Sequence, residues 1–251
     1  MQQQWMDVDL MFASTARSRN PWTAFKATPV TFDLEGPEDY IKPALKGTMG
    51  ILKSAAKRSD IKQVVVTSSI GAVGESIASV EKTKVYTEED WNENAYNASK
   101  VLSEQAAWRY FRENKDTLPF ELSVIAPGGI LGPLRDEPSS SSAFSTPSAK
   151  LEWEQLFANP PPPEPFPSFP FSYVDIRDVA EMHIRALEME EAAGERFIDC
   201  SQGPELRPHL IVSGEKARQK LGIVYKTVPK TLKDLAEDFR SRGWLRHLDG
   251  L

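Results

Sequence analysis

Gln63-Val64-Val65-Val66-Thr67-Ser68-Ser69 is a continuous β-branched run that stops abruptly in hydroxyl side chains. A strand covered on both faces reads this way, because in a parallel sheet helices lie above and below and neither side of the pleat needs to be polar. Parallel neighbours must be joined by long crossovers, usually helices, and the flanks of this run supply them. Upstream, Pro37 to Arg58 places Tyr40, Ile41, Ala44, Leu45, Met49, Leu52, Ala55 and Ala56 at three-to-four spacing, which predicts an amphipathic helix. Downstream, Ala95 to Asn114 carries Ala95, Ala98, Val101, Leu102, Gln105, Ala106 and Phe111 on one stripe. The next run, Phe120-Glu121-Leu122-Ser123-Val124-Ile125-Ala126, is again strand-like and stops at Pro127-Gly128-Gly129. Helix, strand, helix, strand is the α/β alternation.

Further out the pattern continues in both directions. Val8 to Ser14 predicts a short buried strand that runs into a loop at Thr15, and a polar, Pro-broken stretch follows to Gly36. Gly71 to Asn94 reads as a loop, with Glu88-Glu89-Asp90 a solvated acidic run ahead of the next helix. From Pro138 to Pro170 the composition shifts to Ser and Pro, predicting a surface loop or lid with a short helix at Ser148 to Ala158. Asp175 is placed to cap a helix running to about Glu191. A strand at Glu195 to Cys200 and helices at Ser213 to Leu221 and Thr231 to Arg242 complete the chain. Arg177 and Asp178 are expected to form a structural ion pair or cap, and Trp91 and Trp108 to pack.

A chain of 251 residues accommodates one substantial core and a smaller appendage. Its net charge of -6 lacks the basic face that nucleic acid or an anionic membrane requires. A single cysteine, Cys200, excludes an internal disulfide and reads as a small buried group closing its strand. The amino-terminal residues form neither a basic n-region nor an apolar h-region, and no stretch of about 18 apolar residues occurs, so the expected location is the cytoplasm. His183, His209 and His247 lack ligand spacing, which predicts no metal site, with His183 on a helix flank.

The chemistry is concentrated in Ala95-Tyr96-Asn97-Ala98-Ser99-Lys100. Residues four apart on a helix stack roughly 6 Å apart on one face, so Tyr96 and Lys100 can address one cleft. An unperturbed phenol, with a pKa of about 10, is a poor acid at neutral pH, and an adjacent ammonium lowers that value. In this reading Tyr96 passes a proton to or from a carbonyl oxygen. Lys100 tunes Tyr96 and binds cofactor ribose hydroxyls, while Ser69 supplies part of an oxyanion hole. A lone Tyr-x-x-x-Lys pair is usually a surface pair. Here it follows a strand ending in Thr-Ser-Ser and precedes one ending in Pro-Gly-Gly, the order of a dinucleotide fold.

With Tyr40 to Thr48, Val64 to Ser69, Tyr96 to Lys100 with Glu104 to Trp108, Pro127 to Pro133, and Tyr173 to Ala180, the chain resembles the extended short-chain dehydrogenase/reductase family. It is most similar to the branch containing dihydroflavonol reductase, cinnamoyl-CoA reductase and fungal aldehyde or ketone reductases. The resemblance implies Ser69, Tyr96 and Lys100 as catalytic residues. It implies Pro127, Gly128, Gly129 and Ile130 beside the nicotinamide, Ala13, Ser14 and Thr15 beside the ribose and diphosphate, and NADP(H) in preference to NAD(H). The implied fold is a Rossmann-like parallel sheet. Residues 1-132, rejoined by 171-200, form an incomplete dinucleotide-binding domain; 133-170 form the lid; 201-251 form a C-terminal substrate subdomain.

The chain departs from the family at its start. The earliest glycines, Gly36, Gly47 and Gly50, do not form the Gly-x-x-Gly-x-x-Gly turn whose helix amides hold a diphosphate. Val8 to Ser14 matches the family's fourth strand, which leaves the sheet without its first strands and with an open edge expected to self-associate. The segment from Gln202 to Leu210 is also short for the substrate domain. Three functions follow as alternatives. The first is an NAD(P)H-dependent reductase of a ketone or aldehyde on a small secondary-metabolite-like molecule. The second is a truncated, non-catalytic remnant that binds a partner, and the third is a nucleotide-sugar epimerase or dehydratase.

Overall fold

A computed structural model of the chain describes residues 10-15, 22-26, 37-74, 85-92, 98-134, 172-201 and 211-245. Its centre is a five-stranded sheet in which strand β1 (Leu10–Thr15) lies between β2 (Trp22–Lys26) and β3 (Ile61–Thr67). Beyond β3 come β5 (Glu121–Pro127) and then β8 (Arg196–Asp199). The run that decided the fold is β3, which starts two residues earlier than expected, at Ile61 and not Gln63, and ends at Thr67.

The period-two alternation of the pleat divides β3 between two layers. Val64 and Val66 join Leu122 and Val124 of β5 on one face, against helix α1 (Pro37–Ala55) and helix α2 (Ala98–Asn114), which contribute Leu52, Ala55, Ala107, Trp108 and Phe111. Val65 and Ile125 face the other way with Phe197 of β8. There they meet Met182, Ala186 and Leu187 of helix α3 (Ile176–Glu188) and Ala217 and Leu221 of helix α4 (Glu215–Leu221). Helices on both faces of the sheet explain the unbroken apolar sequence of β3.

Strands β3, β5 and β8 run parallel, with Thr67 opposite Ile125 and Pro127 opposite Asp199. The amino-terminal strands differ from the expected all-parallel order. β1 is antiparallel to both β2 and β3, so β2 and β3 point the same way and are joined through α1, with β1 inserted between them. The reason is the short link between β1 and β2: six residues can reverse a chain but cannot carry a parallel crossover.

Two small parallel pairs flank the sheet. β4 (Val85–Tyr86) pairs with β9 (Ile211–Val212), placing a strand inside the expected loop at 71-94, and β6 (Gly129–Leu131) pairs with β7 (Tyr173–Asp175). Helix α5 (Val228–Ser241) packs on β6 and β7, and its Leu235 and Phe239 form a satellite cluster with Leu245. Asp175 caps α3 as expected, accepting a 2.8 Å bond from the Arg177 amide. Arg177 also bridges Asp175 to Asp234 of α5, while Asp178 pairs with Lys226 at 2.6 Å. Most of the expected lid at 133-170, including the helix at 148-158, and the segment 202-210 lie outside the described residues. Among the described residues no helix is long and apolar enough to cross a membrane.

Leu122 is fully buried at the middle of β5, facing α1 and α2. Leu122→Ala is expected to lower the unfolding free energy by about 2 to 5 kcal/mol, read from urea denaturation. A change below about 1 kcal/mol would mean that this layer is not the close-packed core described.

Candidate active site

Ser69 stands where β3 ends. Its backbone is extended, and its Oγ accepts the Gly71 amide at 3.1 Å, capping a single 3₁₀ turn at Ile70–Ala72. That bond uses one lone pair of the hydroxyl and leaves its proton available to a substrate oxygen. The turn packs against α2 and is held from a second side by Asn92, whose Nδ2 donates to the carbonyls of Gly71 and Gly74 at 2.8 and 2.9 Å.

Helix α2 has an unusual division of labour. Its second half buries Ala107, Trp108 and Phe111, but its first half buries, beside Val101, the polar Ser99, Lys100, Ser103 and Glu104. Glu104 is almost fully buried and accepts four bonds: from Ser68 Oγ at 2.6 Å, Trp108 Nε1 at 3.2 Å, and Arg196 Nε and Nη2 at 2.6 and 3.1 Å. Arg196 Nη1 donates to the carbonyls of Glu88 and Asp90, and the guanidinium lies 4.0 Å over the Trp91 ring. Lys100 is buried one turn before Glu104 on the same helix.

Pro127 to Ile130 leave the carboxyl end of β5 beside Ser69's strand. The Gly128 amide donates to the Asp199 carbonyl and the Gly129 amide to the Ser172 carbonyl, both at 2.9 Å. A Cβ on Gly128 would lie 2.3 Å from that Ser172 oxygen, and one on Gly129 would lie 2.7 Å from the Tyr173 ring. Gly128 is thus demanded by close backbone approach and Gly129 by the Tyr173 ring packed against it.

Ser69, Lys100 and Pro127 to Ile130 therefore gather at the carboxyl end of the parallel strands. Ala13, Ser14 and Thr15 do not. Because β1 is antiparallel to β3, Ser14 sits opposite Gln63 and Thr15 opposite Ile61, at the amino end of β3. The reversal puts them roughly 20 Å from Ser69 along the strand. Tyr96 lies outside the described residues.

Several roles escaped sequence reasoning. The run Glu88-Glu89-Asp90 is not merely solvated: its carbonyls bind Arg196, and Glu88 Oε1 accepts the Ile198 amide at 3.1 Å. His183 is not on a flank but buried, Nε2 2.8 Å from Thr67 Oγ1 and Nδ1 2.7 Å from the Val179 carbonyl. Burial lowers its pKa to about 4, so the ring is neutral, with the Nδ1 proton on Val179 and Nε2 accepting from Thr67. Asp199 is also fully buried, and neither carboxylate oxygen has a hydrogen-bond partner among the described residues. Burial raises its pKa to about 7; the Tyr225 hydroxyl, close by but outside hydrogen-bond geometry, opposes this, and the charge of Asp178 adds to it. For His183 and Asp199 the available signal was a polar residue at an otherwise apolar position; the run at Glu88 to Asp90 lies in a polar stretch and offered none.

Comparison with known proteins gives a consistent picture. The model of the NAD dependent epimerase/dehydratase family matches residues 24–198. The NADPH-dependent methylglyoxal reductase GRE2 of Saccharomyces cerevisiae is 32% identical over 186 residues, covering 68% of this chain and 54% of that protein. Anthocyanidin reductase of Arabidopsis thaliana is 34% identical over 209 residues, covering 74% and 57%. The chain thus spans little more than half the length of these curated relatives. Among solved structures, yeast methylglyoxal/isovaleraldehyde reductase Gre2 complexed with NADPH superposes with a TM-score of 0.71 at 27% identity, covering 86% of this chain and 76% of that one.

The two buried titrating groups have opposite linkage. Asp199 keeps in the fold a proton that the unfolded chain releases near 3.8, so it weakens stability as pH rises from about 4 to about 7. His183 refuses in the fold a proton that the unfolded chain takes up near 6.5, so it strengthens stability as pH rises from about 4 to 6.5. Asp199→Asn removes the first effect alone. The stability of the variant minus that of the parent, from denaturant titrations at pH 4 to 8, is expected to increase up to about pH 7 and then level off. A pH-independent difference would place the Asp199 carboxyl in water.

Proposed function

The chain belongs to the NAD-dependent epimerase/dehydratase family, and from that premise we propose that it is an oxidoreductase that reduces a ketone or aldehyde on a small organic molecule, using NADP(H) in preference to NAD(H). One observation carries the reading: the hydroxyl of Ser69, the helix bearing Lys100 and the Pro127–Ile130 segment meet at the carboxyl ends of β3 and β5. Open α/β sheets bind dinucleotides there. The cofactor and the carbonyl chemistry are supported by the yeast relative, an NADPH-dependent methylglyoxal reductase.

The residues at this end of the sheet fit the nicotinamide and ribose half of a dinucleotide: a buried lysine, a strand-end serine with a free donor, and a backbone segment without side chains at two positions. None of the described helices opens on a glycine-rich turn, so no residue is assigned to the diphosphate. When bound, the reduced nicotinamide supplies a hydride to the carbonyl carbon. Ser69 Oγ donates to the carbonyl oxygen and orients it, and charge that develops on that oxygen is stabilised by the same bond. Tyr96 delivers the proton that turns the oxygen into a hydroxyl. Lys100 holds ribose hydroxyls and, as a nearby cation, favours the phenolate left on Tyr96.

A second reading, a non-catalytic chain that acts by binding a partner, draws support from the position of Ala13–Thr15 at the far end of β3. Titration separates the two. The reductase reading expects saturable NADPH binding, with Tyr96→Phe cutting turnover at least about 100-fold and leaving the NADPH dissociation constant within about threefold. Ser69→Ala is expected to lower kcat by about 10- to 1,000-fold, as loss of an oxyanion donor does. No binding of either nicotinamide cofactor at millimolar concentration overturns the reductase and leaves the second reading.

A further inference from the structure

We propose that Glu104 is a positioning residue that holds the strand end carrying Ser69 against the helix carrying Lys100. This rests on the reductase reading only for its catalytic consequence. The geometry is direct. Ser68, one residue before Ser69, donates its Oγ proton to Glu104 Oε2 at 2.6 Å, and Glu104 lies one helical turn after Lys100. Ser68, Lys100 and Glu104 are all buried, so this bond is made away from competing water.

The carboxylate is not free to follow Ser68. Arg196 grips both its oxygens, at 2.6 and 3.1 Å, and Trp108 Nε1 takes a further position on Oε1. Arg196 is itself fixed at the start of β8, opposite Val124 of β5, and its Nη1 is anchored on the Glu88 and Asp90 carbonyls at 2.9 and 2.6 Å. The position of Glu104 is therefore referred to the sheet through β8, and Ser68 reads that position out at the end of β3. Helix α2 cannot slide along the sheet without breaking the Ser68 bond. An ionised acceptor makes this bond about twice as strong as a neutral one. A displacement of about 1 Å at a reacting group costs up to about 100-fold in rate, so a fixed spacing between Ser69 and Lys100 bears directly on turnover.

Replacing Glu104 leaves Arg196 buried without its counter-charge and can unfold the chain, so the test uses Ser68. Ser68→Ala is expected to lower kcat between about 10- and 100-fold while KM and the NADPH dissociation constant stay near the parent's; the denaturation midpoint falls by no more than the loss of one buried charge-assisted bond requires, and the chain stays folded. Ser68→Thr, which retains the hydroxyl, is expected to recover most of the loss. Ser103→Ala is the control: its Oγ is buried on α2 one residue before Glu104 and has no hydrogen-bond partner among the described residues, so turnover should not change. An unaltered kcat in Ser68→Ala, or a loss that the control shares, overturns the proposal. If the parent binds no nicotinamide cofactor, the reductase reading fails by itself, and amide hydrogen exchange decides the positioning role. Ser68→Ala should then accelerate exchange selectively at Ala72, Val73 and Gly74, whose amides close the turn after Ser69. Unchanged exchange there overturns it.

Discussion

The Glu104 carboxylate and the Arg196 guanidinium are both withdrawn from water, and much of the surrounding structure exists to make that tolerable. Each buried ion costs several kcal/mol unless its charge is balanced and its hydrogen-bonding capacity is filled. A guanidinium has five N–H donors, and Arg196 makes five bonds: two to Glu104 and one each to the carbonyls of Glu88, Asp90 and Ala72. The Trp91 ring covers its face. Balance is reached only when β8, α2, the 88-91 segment and the turn after β3 are all in place. Removing any one leaves a charge or a donor stranded in a low dielectric, so these four segments are energetically one unit.

The parts of the fold that depend on pattern were legible in the sequence. Val64 to Val66 could only be a doubly covered strand, the stripe from Ile41 to Ala55 could only be an amphipathic helix, and Asp175 announced the start of α3. The direction of β1 was not legible, because side-chain alternation is the same in a parallel and an antiparallel strand. Only the length of the connection to β2 distinguishes them, and reading that requires knowing that Trp22–Lys26 is a strand. Pattern was equally silent about Glu88, His183 and Asp199. A charged or polar side chain at the edge of an apolar run can face water or a partner distant in sequence, and the partner of Glu88 is the amide of Ile198, 110 residues away.

For the candidate site the division is similar. Ser69 and Lys100 were singled out from their spacing and order, because the chemistry restricts which residue types can serve, and the fold puts the turn after Ser69 against the helix that bears Lys100. Glu104 was visible only as part of a resemblance; its contribution depends on Ser68 and Arg196, which the fold alone brings to it. The placement of Ala13 to Thr15 turned on strand direction, so a correct assignment of the element did not carry over to the end at which its loop emerges.

Gly128 and Gly129 have a consequence for how such chains evolve. Their missing side chains are required by the Ser172 carbonyl and the Tyr173 ring, which belong to the scaffold. Selection for folding alone would keep both glycines in a copy that had lost every trace of turnover, whereas Ser69, with a hydroxyl that caps one short turn, would be freer to drift. When descendants of this gene are surveyed, the persistence of the glycine pair reports an intact scaffold only, and under the proposed reductase reading the serine is the more sensitive record of whether chemistry is still under selection.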